Sequence, residues 1–284
     1  VRTGRDYRNS ADITPDQLLE TFGFRGVEFG NWVSQGSGNA DRQGMLNQAY
    51  DAFMDLADVI GVPPKALSLE GRLGIGFGSR GRGRASAHFE PDTIVINLTK
   101  TKGAGSLAHE WFHAADNYFA GKRQERAYGA SRESSYITYR PEPMMVNTRY
   151  PSQKLTRAKL DIYQANHPNA PLYAEENWAT DPAHPNGVRP QVEKAFAELV
   201  ETLDRSPMAK RAAVLDSGTS DGYWSRIIER GARSFETYVI AKLADQGYRN
   251  DYLANVRSLE EFSRNQDRYP YLTPDEQGPV SEAF

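Results

Sequence analysis

The chain has 284 residues, with 34 Lys and Arg against 37 Asp and Glu, a formal net charge of −3. This near balance gives no global reason to expect nucleic acid as the main ligand, and 25% charged residues fit an ordinary globular protein of one large domain or two small ones. The lack of cysteine removes disulfides, thiolate metal sites and cysteine nucleophiles together, and fits a reducing, cytoplasmic setting.

The polar start Val1-Arg2-Thr3-Gly4 has no signal-peptide character, and a start on Val without Met points to a trimmed piece of something longer or to a processed terminus. No stretch approaches the roughly 18 apolar residues of a membrane span. Thr14-Pro15-Asp16-Gln17 predicts a helix start with a capping box, and Gly23 its end. Phe24-Arg25-Gly26 and Trp32 read as packing around a turn. Met45, Ala49, Phe53, Leu56, Ala57 and Ile60 recur at spacings of three and four, the mark of an amphipathic helix that Gly61 and Pro63-Pro64 stop. Short strands are expected at Ala66–Glu70, Leu73–Phe77, Ser86–Glu90 and Thr93–Leu98, the last two joined as a hairpin by Pro91-Asp92. A helical pattern follows from Ser106 to Phe119.

Residues 121–189 change texture to Pro, Tyr, Asn, Ser and Arg, and read as a loop-rich insertion with one helix near Leu155–Gln164. Beside an active site such a segment serves as a lid or recognition surface, or has no part in the chemistry. Helices return at Pro190–Leu203 and Ser220–Leu243, with a shorter one at Leu259–Asn265. The tail from Pro270 reads as extended or loose.

The chemistry concentrates in Leu107-Ala108-His109-Glu110-Trp111-Phe112-His113, which contains H-E-x-x-H. Four residues apart on a helix, His109 and His113 lie on one face and can reach one ion. Glu110 sits beside that ion without having to ligate it, placed to take a proton from a water that zinc acidifies. A catalytic Zn2+ usually keeps three protein ligands and one open position. The residues leave the third ligand open between Glu229, Glu236 and Asp116. Glu229, Arg233 and Glu236 share one helical stripe, so the glutamate that does not ligate could pair with Arg233 or a ligand histidine. Asp116 fits better as an acceptor for a ligand histidine N–H.

The run from Glu229 through Ala232 to Phe235, E-x-x-A-x-x-F, resembles the second zinc helix of the glutamate-zincins. That resemblance implies Glu229 as the third ligand and Ala232 as a small residue at a close helix contact, with Gly231 a departure from the bulky apolar residue expected there. Phe22 to Trp32 and Ile96 to Glu110 resemble the large polyvalent protein-associated domain family, found in multi-domain proteins of phages and conjugative elements. The resemblance spans about Asp12 to Tyr118 plus Glu229 to Val239. It implies a zincin-type metallopeptidase delivered with, or acting beside, mobile DNA.

Other residues invite weaker readings. Tyr223, six residues before Glu229, could donate to a developing oxyanion; Tyr238 is the alternative. His88, in a strand before the zinc helix, could line the cleft, though a partly buried structural histidine suits it better. His167 and His184 read as surface histidines. The Gly-rich Leu73–Arg84 stretch matches no phosphate loop, and Arg80, Arg82 and Arg84 read as solvated, with acidic substrate or DNA as the alternative. The expectation is therefore one α+β zincin-like domain over 1–284: a small sheet, an active-site helix and a second helix bringing Glu229. Its function would be zinc-dependent endopeptidase action on a protein or peptide, in a larger polyprotein context and away from membranes. The alternative is a zincin-fold binding or regulatory module without peptidase activity.

Overall fold

The computed structural model describes residues 1–30, 38–79, 87–98, 105–122, 135–139, 144–180, 188–218 and 220–284. After β1 (Arg2–Thr3), helix α1 (Pro15–Phe22) begins where the capping box puts it. Gln17 N–H donates to Thr14 Oγ1 at 3.1 Å, and Thr14 N–H donates to Gln17 Oε1 at 2.8 Å. Gly23, at φ +70°, ends it. Strand β2 (Val27–Phe29) precedes α2 (Gly38–Ile60), whose expected apolar face is buried through Ala49, Phe53, Leu56 and Ala57. Phe24 stacks on Phe22 and tilts against Phe53, as a packing residue should.

Ala66–Glu70 is not a strand. Pro63 and Pro64 pre-set a 3-10 turn over Pro64–Ser68, and Ser68 Oγ closes it by donating to Lys65 O at 2.8 Å and accepting from Gly71 N–H at 3.0 Å. Strands β3 (Gly74–Phe77), β4 (Ala87–Glu90) and β5 (Val95–Leu98) do form, and join β2 in the order β2-β3-β5-β4. The first two pairings are parallel. The last is the expected hairpin, antiparallel, with Ala87 opposite Leu98 and Glu90 opposite Val95. Ile75, Phe77, Ile96 and Leu98 project to one face and join the main core.

Helix α3 (Leu107–Lys122) lies under that sheet, buried on nearly every side. Trp111 Nε1 donates to Leu67 O at 3.0 Å, which pins it to the 3-10 turn. Its start is fixed from outside. Gly105 N–H donates to Tyr252 O at 2.8 Å, Asn255 N–H donates back to Gly105 O at 3.1 Å, and Ala108 N–H donates to Leu253 O at 2.9 Å. Gly105 has φ +90°, and a β-carbon there would stand 2.7 Å from Asn255 Cβ, so only glycine fits.

The described residues of the insertion hold more regular structure than their composition suggests. Strands β6 (Met144–Asn147), β7 (Lys154–Thr156) and β8 (Trp178–Thr180) form an antiparallel sheet in the order β7-β6-β8. Helix α4 (Arg157–Asn166) covers it, and Met145, Leu160 and Trp178 make a core separate from the main one.

Helices α5 (Pro190–Arg205) and α6 (Pro207–Asp216) lead to α7 (Ile227–Asp245), which starts seven residues later than the sequence pattern implies. The Asp216 carboxylate accepts from Trp224 N–H at 3.0 Å and Ser225 N–H at 2.7 Å, which holds that stretch out of a helix. Strand β9 (Arg249–Asn250) pairs antiparallel with β1. The helix expected at Leu259–Asn265 is a 3-10 turn over Leu259–Phe262. The tail is not loose: it forms α8 (Pro274–Ala283), with a capping box between Thr273 and Glu276. Arg211 clamps Glu276 through both terminal guanidinium nitrogens, and Phe284 packs against Phe112, Phe235 and Tyr238. The architecture is α+β, and no described helix is long and apolar enough to cross a membrane. Trp32, His184 and the Arg80–Arg84 loop lie outside the described residues.

Candidate metal centre

Helices α3 and α7 pack side by side, and the contact explains two small residues. Ala232 is fully buried. A β-carbon on Gly231 would stand 3.0 Å from Phe112 Cε1, so the bulky residue expected there has no room. Phe112 cannot easily yield, because Phe196, Phe235 and Phe284 surround it.

This close approach gathers three donors. His109 Nε2 is 3.1 Å from His113 Nε2 and 3.4 Å from Glu229 Oε2, and His113 Nε2 is 3.6 Å from Glu229 Oε1. Ligand atoms about 2.0–2.1 Å from a tetrahedral ion stand about 3.3–3.4 Å apart, so the spacing suits one ion. The set His109, His113 and Glu229 is also the metal-competent group of His, Asp and Glu among the described residues. Glu236 does not join it. Its Oε2 lies 3.0 Å from His109 Nδ1, so that nitrogen donates to it and Nε2 faces the other two donors, with a lone pair to offer an ion once its proton is displaced.

The electrostatics ask for a cation. Burial alone would lower the His109 pKa, but Glu236, Glu229 and Glu110 raise it to about 10. Burial would raise Glu229, yet the close approach of the His109 and His113 imidazoles takes it well below the carboxylate range. Against these carboxylates stands the Arg233 guanidinium, its Nη1 3.8 Å from Glu229 Oε2. Negative charge remains in surplus, and a divalent ion offsets it. Glu229 Oε2 and His113 Nδ1 are buried and make no hydrogen bond among the described residues. The donor set could therefore hold a metal ion.

Glu110 is buried beside this group, and its charge acts on both His109 and Tyr223. Tyr223 lies at the exposed rim, in the loop before α7, with its phenol against Glu229. Burial of the ring edge, then the charges of Glu229 and Glu110, raise its pKa, and Arg233 opposes them. Tyr238 points elsewhere, into the aromatic packing of Phe235 and Phe284. Asp116 neither ligates nor orients a histidine. It accepts from Thr138 N–H at 2.9 Å and from the Thr138 hydroxyl, fixing the 135–139 segment over His113, and burial raises its pKa to about 6. His88 pairs with Glu90 on its own strand at 3.0 Å, and His167 stacks on Tyr173. Neither reaches the centre. A cleft of about 340 Å³ opens at the start of α7, lined by Thr138, Tyr139, Val200, Ile227 and Arg230 among others.

Two contributors were hidden in the sequence. Asp216 shapes the Tyr223 loop through backbone N–H groups, which leaves no spacing to read. Arg233 was visible only as an i+4 neighbour of Glu229, while its contacts with Trp224 depend on the loop's path.

Residues 215–284 match the family model described as Large polyvalent protein-associated domain 1. The match takes in all of α7 and hence Glu229, and does not extend to the H-E-x-x-H helix. No curated protein and no solved structure matches the chain.

Proposed function

We propose that this chain is a zinc-dependent endopeptidase. The observation that carries the reading is the convergence of His109 Nε2, His113 Nε2 and the Glu229 carboxylate at 3.1–3.6 Å, with Glu236 fixing the His109 tautomer. Zinc, when bound there, supplies Lewis acidity: it acidifies a water and polarises a carbonyl. Glu110 accepts the water's proton and later returns it to the leaving amine. Tyr223 donates its hydroxyl to the oxygen on which charge develops, a role its high pKa suits because the proton stays in place. The cleft lined by Thr138, Ile227 and Arg230 would give a substrate side chain room at the start of α7. The substrate would be a protein or peptide, met in the cytoplasm and within a larger polyvalent protein. The family match at 215–284 and the resemblance of the preceding motifs support that setting.

The test is Glu110→Gln, made alongside wild type and assayed on a denatured protein and a mixed peptide pool. Wild type should cleave, lose activity to a chelator and regain it with zinc. Glu110→Gln should keep its zinc and lose about 10²–10⁴-fold in rate. Undiminished activity in that variant would sink the mechanism. Zinc-loaded wild type that cleaves none of these substrates would favour a metal-holding binding module instead.

A further inference from the structure

The geometry points to Arg233 as a positioning residue that couples the metal ligand Glu229 to the loop carrying Tyr223, an inference that rests on the metal-site reading above. Arg233 is almost fully buried on α7, one turn after Glu229. Its guanidinium is spread over three residues. Nη1 lies 3.8 Å from Glu229 Oε2, and Nη2 donates to Trp224 O at 2.7 Å. The plane also sits 4.8 Å from the Trp224 ring and 5.6 Å from the Tyr223 ring. Nε has no partner among the described residues.

A buried arginine of this kind is costly unless its charge is answered. Burial holds the Arg233 pKa below its ordinary value, and the carboxylates of Glu229 and Glu236, with Tyr223 and Tyr271 beside them, oppose it only in part. Two of those groups belong to the metal centre. The charge of Arg233 thus bears on how tightly the centre holds a cation, and its planar fork bears on where Tyr223 lies. From the other side Asp216 holds the same loop by the N–H groups of Trp224 and Ser225. Carbonyl and amides of one short segment are therefore gripped at once, and that grip sets Tyr223 against Glu229.

Charge and fork can be separated, because lysine keeps the first and loses the second, and methionine loses both. Metal-free wild type, Arg233→Lys and Arg233→Met would each be titrated with Co2+ in competition with a chelator, followed by visible absorption. Backbone hydrogen exchange would be measured over residues 217–226. Arg233→Met should bind Co2+ about tenfold more tightly than wild type, since a like charge has gone from beside the ion. Arg233→Lys should bind as wild type does. In both variants the Trp224 and Ser225 amides should exchange at least about tenfold faster than in wild type. An arginine with a merely structural role would weaken Co2+ binding in both, and that result overturns the inference, as does wild-type exchange in Arg233→Lys. Should Arg233→Met fail to fold, the lysine variant decides alone: wild-type affinity with a loosened loop supports the coupling, and any other pairing refutes it. Wild type that binds no Co2+ refutes the metal site itself, before the variants are compared.

Discussion

Two buried ionic clusters in this molecule make an instructive pair. Near the N-terminus, Arg2 meets Asp55 through two bonds of 2.9 Å, Asn250 adds a third at 2.7 Å, and Arg8 takes both oxygens of Asp51 at 3.0 and 3.1 Å. Each carboxylate has its own guanidinium, and the cluster ties β1 and β9 to α2. At the candidate metal centre Glu110, Glu229 and Glu236 surround two imidazoles with Arg233 beside them, and buried atoms of His113, Glu229 and Arg233 make no hydrogen bond among the described residues. A network that serves the fold is closed by protein groups alone. One that serves a ligand is left incomplete by the protein, and the shape and sign of the missing piece describe the ligand.

That contrast can be broken experimentally. Removing Glu229 should have the largest effect, because it takes one of three ligands: Glu229→Ala should purify without zinc, whereas Glu236→Ala should keep it with an affinity about 10–100-fold lower. Equal metal content in the two variants would erase the distinction drawn between ligand and orienting acceptor. Next comes the closed cluster. Asp55→Ala strands Arg2 and should cost about 3–5 kcal/mol in denaturant unfolding, with zinc per folded chain unchanged. A parallel fall in metal affinity would show that the two clusters are one. Smallest is Gly231→Ala at the helix contact. Overpacking against Phe112 opposes the roughly 1 kcal/mol that alanine gains over glycine in a helix, and a net loss of about 1–2 kcal/mol is expected. A stabilised variant would mean that Phe112 moves freely and that the contact does not set the helix spacing.

What could be read from the sequence was what local spacing encodes. His109 and His113 are on one helical face by arithmetic, Thr14 and Gln17 form a capping box by type and separation, and Pro91-Asp92 marks the β4–β5 turn. Where spacing is short or contradicted, the reading failed. β6, β7 and β8 are three or four residues long, too short for alternation to show. The capping box at Thr273 and Glu276 was present but hidden by Gly278 and Pro279 inside a helix that long-range packing on Arg211 and Phe112 sustains. The division of labour between Glu229 and Glu236 depends on how α7 lies against α3. Sequence reduced it to a few candidates, and packing brings Glu229 to the two histidines and Glu236 to His109 Nδ1.

The clamp on the start of α3 carries a further consequence, for the order of events in synthesis. Gly105 and Ala108 are held by residues 252–255, which follow α7 in the chain. At roughly 5–20 residues per second, the interval between the emergence of His113 and of Asn255 is on the order of ten seconds. For most of that time a nascent chain has His109 and His113 but not Glu229, and for all of it their helix lacks its anchor. The three-residue group is thus completed late in the chain, and whatever ion it holds can be taken up only once most of these residues have been made.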